Sequence, residues 1–156
     1  MREVQRHVDV RCPVSTVYNQ FTQFEEFPRF MSNVKSVRQL DDRRLHWKIE
    51  IGGVGREFDA EITEQKPDER IAWKSIDGKT HAGVVTFHRL SDDVTRVNLQ
   101  MAYDPQGFAE NAADFLGIIS AQLQRDLDRF KEFIESRSSE TGAWRGKIEA
   151  PSQRPH

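Results

Sequence analysis

The stretch DPQGFAENAADFLGIISAQLQRDLDRFKEFIESR, Asp104 to Arg137, decides the fold. Its apolar positions are Phe108, Ala112, Phe115, Ile119, Leu123, Leu127, Phe130 and Ile134. Steps of three and four keep them on one face of a helix with 3.6 residues per turn. Glu110, Arg125, Asp128, Lys131, Glu132 and Glu135 take the opposite face. A helix of about 30 residues is roughly 45 Å long. It needs a wide apolar surface to lie on.

The chain before it supplies that surface. Leu45, Trp47, Ile49 and Ile51 alternate with His46, Lys48 and Glu50, and Phe58, Ala60 and Ile62 alternate with Glu57, Asp59 and Glu61. Ile71, Trp73 and Ser75 follow, then His81, Gly83, Val85 and Phe87, then Thr95, Val97, Leu99, Met101 and Tyr103. Alternation of this kind predicts antiparallel strands with one dry face and one wet face. The turns are Asp41-Asp42-Arg43, the glycine-rich 52–55, Lys66 to Glu69, Asp77-Gly78 and Ser91 to Asp93. Val34 to Leu40 is one more strand, and Val4 to Val10 is the first. Pro13 ends that first strand and opens a short helix through Val14, Val17, Tyr18 and Phe21. A second short helix carries Phe24, Phe27, Phe30 and Met31. Strands segregated from a covering helix belong to the α+β class.

Composition fits one globular domain. The 156 residues carry 23 basic and 25 acidic side chains, a net charge of −2, well mixed along the chain. That is no footprint for nucleic acid. No apolar run is long enough for a membrane span, and the first residues lack a signal peptide's apolar segment. The single cysteine, Cys12, excludes an intrachain disulfide and a multi-cysteine metal site, and its setting suggests an inert thiol. No metal or cofactor is expected, and a reduced, cytoplasmic location is. Residues 1–137 read as the domain. Residues 138–156 read as a polar tail interrupted by Trp144 and Ile148, packed on its own domain or on a neighbour, with a homodimer through the tail as one outcome.

Pairing the inward residues across each turn gives three rows. The first is Leu45, Ile62, Ile71, Val85 and Leu99; the second is Trp47, Ala60, Trp73, Gly83 and Met101; the third is Ile49, Phe58, Ser75, His81 and Tyr103. The second row sets two indoles around a shallow place at Ala60 and Gly83. The third gathers three polar groups at the sheet end nearest the long helix. Unpartnered burial of each would cost about 1–3 kcal/mol. They therefore form a satisfied network, or they line a ligand pocket. His81 and Tyr103 are the candidates for proton transfer, although no orienting carboxylate shares their face. Opposite the second row come Phe115, Gly117 and Ile119 of the helix, so the helix reads as a lid over its first half. The candidate ligand-binding set is thus Trp47, Phe58, Ala60, Trp73, Ser75, His81, Gly83, Met101, Tyr103, Phe115 and Ile119. His46 and His88 fall on the wet face and read as solvated.

No G-x-S-x-G, H-E-x-x-H, Walker loop or G-x-G-x-x-G is present. Gly52-Gly53-Val54-Gly55 lies between alternating strands, without the helix N-terminus that a phosphate cradle needs.

Several strings together resemble the polyketide cyclase/dehydrase-like branch of the START and Bet v 1 superfamily. They are Val10 to Val14 with Val17-Tyr18, Phe24 to Met31, Ile71-Ala-Trp73-Lys-Ser75 with Asp77-Gly78, Gly83 to Phe87, and Phe130 to Glu135. The likeness covers about residues 3–137, and Glu140 to Gly146 resembles a feature of a bacterial, mainly actinobacterial, subgroup. It implies a helix-grip: seven antiparallel strands curved around the C-terminal helix, enclosing an apolar cavity. It also implies a lipid, polyketide or isoprenoid-like ligand there and, in a minority of members, cyclisation or dehydration. It transfers no catalytic residue. Binding of a hydrophobic small molecule is the leading expectation, ahead of a cyclase or dehydratase using His81 and Tyr103 and of a non-catalytic interaction or stress module.

Overall fold

The computed structural model describes residues 2–77, 81–104, 112–137 and 139–149, with the backbone alone for residue 2 and residues 112–115. The elements run β1 (Arg2–Val10), α1 (Val14–Phe21), a 3-10 helix (Phe24–Arg29), β2 (Val34–Gln39), β3 (Arg44–Ile51), β4 (Val54–Lys66), β5 (Arg70–Ser75), β6 (His81–Ser91), β7 (Val94–Tyr103) and α2 (Ala112–Arg137). All pairings are antiparallel, in the order β1-β7-β6-β5-β4-β3-β2. This is the α+β helix-grip. The sheet's dry face holds Leu45, Trp47, Ile62, Ile71, Trp73, Val85 and Leu99, and α2 lays Ile119, Leu123, Leu127, Phe130 and Ile134 against the same core. Of the helix expected over 104–137, residues 105–111 lie outside the described set, as do Phe108 and Gly78. Among the described residues no helix is long and apolar enough to cross a membrane.

Two registers differ from the sequence reading. Gly52 and Gly53 have φ of 60° and 82°, so the β3–β4 connection is a two-residue turn that pairs Ile51 with Val54. Positive φ at both central positions costs a residue without Cβ little, and it matches the twist of the flanking strands. Counting four turn residues instead of two displaces the pairing by two. Trp47 therefore lies opposite Phe58, and Leu45 opposite Ala60. Between β4 and β5 the ladder is also displaced, with Ala60 opposite Ser75 and Ile62 opposite Trp73, before a bulge between Ile62 and Glu64. The β5–β6 and β6–β7 registers follow the expected rows: Trp73 opposite Gly83, Gly83 opposite Met101, His81 opposite Tyr103.

The described tail residues are seated on their own chain. Gln20 and Thr141 exchange two bonds of 3.0 and 2.9 Å, and the Trp144 amide donates to Thr22 Oγ1 at 3.0 Å. Arg145 pairs with Asp68 at 2.8 Å and lies 5.4 Å above the Tyr18 ring. Ile148 forms a bridge with the buried Gln65 of β4. The edges of the sheet also have partners. Lys131 Nζ donates to the Asp9 carbonyl at 2.8 Å, Glu135 accepts from the Arg11 amide at 2.8 Å, and Glu25 accepts from the Gln39 amide at 3.1 Å.

Candidate functional site

The interior divides into two aromatic groups. Phe21 of α1 sits 4.4 Å from Phe130, 5.6 Å from Phe87 and 6.1 Å from Phe30, ring centre to ring centre. The second group lies at the other end, on β3 to β7. Trp47 and Trp73 lie nearly parallel at 5.7 Å, Trp47 and Phe58 at 6.2 Å, and His81 lies 5.4 Å from Trp47, 5.3 Å from Phe58 and 4.8 Å from Tyr103. Phe24 and Phe27 bridge the two groups through their contacts with Trp73 and Trp47.

The shallow place expected at Ala60 and Gly83 is filled. The Trp73 indole lies directly on Gly83, where a Cβ would come within 2.3 Å of Cζ2. Glycine is required at that crossing because the ring occupies the volume of any side chain. Ala60 stands in a different row, between Leu45 and Ser75. Gly117 faces solvent with open space around it, so it admits nothing from the sheet. Phe115 belongs to α2, but its side chain lies outside the described set; Ile119 and Met101 are buried in the core.

The polar residues have distinct roles. Ser75 Oγ donates to Asp77 at 2.7 Å and accepts from the His81 amide at 3.1 Å, tying the ends of β5 and β6. Trp73 Nε1–H donates to His81 Nε2 at 3.1 Å. An indole nitrogen can only donate, so Nε2 is unprotonated and the neutral ring carries its proton on Nδ1. Full burial pushes the His81 pKa down to about 3, which keeps the ring neutral. Among the described residues, that Nδ1–H and the Trp47 Nε1–H have no hydrogen-bond partner. Two buried donors thus lie on neighbouring rings without acceptors, each costing about 1–3 kcal/mol if left so. Burial also pushes the Tyr103 hydroxyl up from its ordinary value.

Beside this group is a crevice between α2, β7 and the turn at residues 31–34, lined by Met31, Asn33, Met101, Tyr103, Leu123 and Asp126 among others. Its volume is about 10 Å³, room for about one water. Tyr103 belongs to both the crevice and the aromatic group. Asp126 escapes the reading of the helix stripe, yet 119, 123, 126 and 130 share a face, which is the signal for it.

On the outer face, His46 is clasped rather than freely solvated. Its Nδ1 lies 2.6 Å from Asp59 and its Nε2 2.7 Å from Glu57, and those bonds raise its pKa, Asp59 more than Glu57. Among the described residues no group of three or more His, Cys, Asp or Glu is placed to hold a metal ion. The Cys12 thiol is buried and its pKa raised by that burial, the setting of an unreactive thiol.

The model of the family described as polyketide cyclase/dehydrase and lipid transport matches residues 10–132. An uncharacterised 17.2 kDa protein of Streptomyces lincolnensis is 52% identical over 149 residues, 95% of this chain and 99% of the relative. A START superfamily protein from Mycobacterium smegmatis superposes with a TM-score of 0.74 at 14% identity, over 86% of this chain and 98% of that one. The Zhui aromatase/cyclase from a Streptomyces species gives 0.70 at 14% identity, over 92% and 99%. At such identities the two solved structures speak to the fold alone.

Proposed function

The chain belongs to the polyketide cyclase/dehydrase and lipid transport family, and from that premise we propose that it is a cytoplasmic protein that binds a hydrophobic small molecule between the sheet and α2. The observation that carries this reading is the pair of unpartnered donors, Trp47 Nε1–H and His81 Nδ1–H, set in an aromatic group. An apolar ligand with a hydrogen-bond acceptor would stack on the indoles and relieve both donors. The present crevice of about 10 Å³ is far smaller than such a molecule, so binding displaces side chains. Met31 and Met101, unbranched and adaptable, line it and are suited to that. Cyclase or dehydratase chemistry asks His81 to exchange a proton near neutral pH. A ring pushed down to about 3, with Nε2 engaged by Trp73, supports a donor's role instead.

The test is a matched pair of probes, 2-methylanthraquinone and 2-methylanthracene, of one shape but with and without carbonyl acceptors. Quenching of indole fluorescence should saturate with both, the quinone binding up to about tenfold more tightly. Trp47→Phe should erase most of that difference. If neither probe gives saturable binding, the proposal is wrong.

A further inference from the structure

The crevice holds a second feature that the aromatic group does not use. Asp126 is placed on the inner face of α2, one turn beyond Leu123, and its side chain is only 6% exposed. Among the described residues, every hydrogen bond it makes falls on one oxygen. Oδ1 accepts from the Ser32 amide and hydroxyl, each at 3.3 Å, from Gln122 Nε2 at 2.9 Å and from Arg129 Nη1 at 3.3 Å. Four donors on Oδ1 fix the orientation of the carboxyl group. Oδ2 takes no hydrogen bond among the described residues, and Asp126 lines the crevice that Tyr103 connects to the His81 group.

A nearly buried carboxylate is expensive unless its oxygens are bonded. Arginine–carboxylate pairs often engage both oxygens at once. Here Arg129 shares the oxygen that three other donors already occupy. Burial raises the Asp126 pKa, the mark of a carboxyl group incompletely compensated by its bonds.

We infer that Asp126 is a second polar anchor for the bound molecule, its Oδ2 accepting from an O–H or N–H donor that the ligand carries. This rests on the interior binding proposed above and narrows the ligand class. The molecule presents an acceptor to Trp47 and His81 at one end and a neutral or cationic donor to Asp126 at the other. A carboxylate at the crevice end is disfavoured, because it would meet the Asp126 charge without an intervening donor.

The test compares 2-(hydroxymethyl)anthraquinone with 2-methylanthraquinone, which differ by one hydroxyl group, in the full chain. Wild-type protein should bind the alcohol about tenfold or more tightly, since a hydrogen bond to a charged group is among the stronger ones. Asp126→Asn should bring the two within about twofold. Its carboxamide oxygen would be held by the four donors on Oδ1, and the NH₂ would replace the acceptor at Oδ2. Ser32→Ala, which removes one donor from Oδ1 and leaves Oδ2 in place, should keep the preference. Equal binding of the two quinones by wild type, or an undiminished preference in Asp126→Asn, overturns the anchor and leaves interior binding standing. Binding of neither quinone overturns both. The wild-type comparison decides by itself if Asp126→Asn does not fold.

Discussion

The two aromatic groups of the interior are built from similar rings and behave as different materials. The rings of Phe21, Phe30, Phe87 and Phe130 are hydrocarbon and fully or nearly fully buried, with Tyr18 edge-on to Phe87 at 5.4 Å. Around Trp47, Trp73 and His81 the burial is as deep, with Tyr103 and Phe58 somewhat less so, but all of these rings except Phe58 carry nitrogen or oxygen, and two N–H groups have no acceptor among the described residues. The four phenylalanines have nothing to bond and are core, and the one hydroxyl beside them, on Tyr18, stands alone. The second group retains unmet hydrogen-bonding capacity, which is what a binding site needs. Depth of burial does not separate core from proposed site here; two unmet N–H donors on neighbouring rings do.

The largest expected effect lies on the core side. Phe21→Ala removes a ring that touches four others, and should cost about 3–5 kcal/mol in urea unfolding. Phe58→Ala, at the site end and at the margin of burial, should cost clearly less. Equal losses would break the distinction between the two groups. Next comes Gly83→Ala, whose methyl group would strike Trp73. A loss of about 1–3 kcal/mol with an altered near-ultraviolet circular dichroism band is expected. An unchanged melt would mean that the Trp73 indole is loosely held.

The smallest effect per step sharpens the comparison most, because it reads dryness. His81 stays neutral when folded down to about pH 3, whereas the unfolded ring takes a proton below its ordinary value of 6.5. The unfolded state therefore binds more protons between those limits, and stability falls as pH drops through them, by up to about 1.4 kcal/mol per pH unit. Asp126, raised by burial, acts in the opposite direction. The quantity to read is thus the difference in slope between wild type and His81→Phe. Identical slopes would show that water reaches the imidazole. His46 offers an internal contrast, since its raised pKa gives stability that is present below 6.5 and lost above it.

The helix-grip was legible because its signals are periodic. The stripe on α2 and the alternation from β3 to β7 each repeat enough times to outweigh local error. The candidate site was less so. His81 beside Tyr103 follows from a register that the sequence carries, but the register of β3 against β4 turned on whether Gly52-Gly53 alone or all of 52–55 makes the turn. The left-handed φ of two glycines settles that and sets Phe58 opposite Trp47, while the displaced β4–β5 ladder takes Phe58 out of the row of His81. The seating of Trp73 on Gly83 depends on a rotamer, which no spacing encodes. Asp126 was hidden for another reason: an acidic residue within a helix is read as solvent-facing unless its angular position is checked against the stripe.

The side chains that cap the edge strands carry a consequence for the molecule among its own copies. An open sheet ends in strands whose free amides and carbonyls can recruit another chain's strand. Here Lys131 and Glu135 reach from α2 to the backbone at and just beyond the end of β1, Glu25 reaches to the end of β2, and a register shift near Lys35 interrupts β2's ladder with β3. Each is a local obstacle to edge-to-edge growth, of the kind that keeps a β-rich protein dispersed at high concentration. The helix that closes over the interior therefore also covers part of one sheet edge, and a charge-neutralising change at Lys131 or Glu135 should uncover it without touching the proposed binding site.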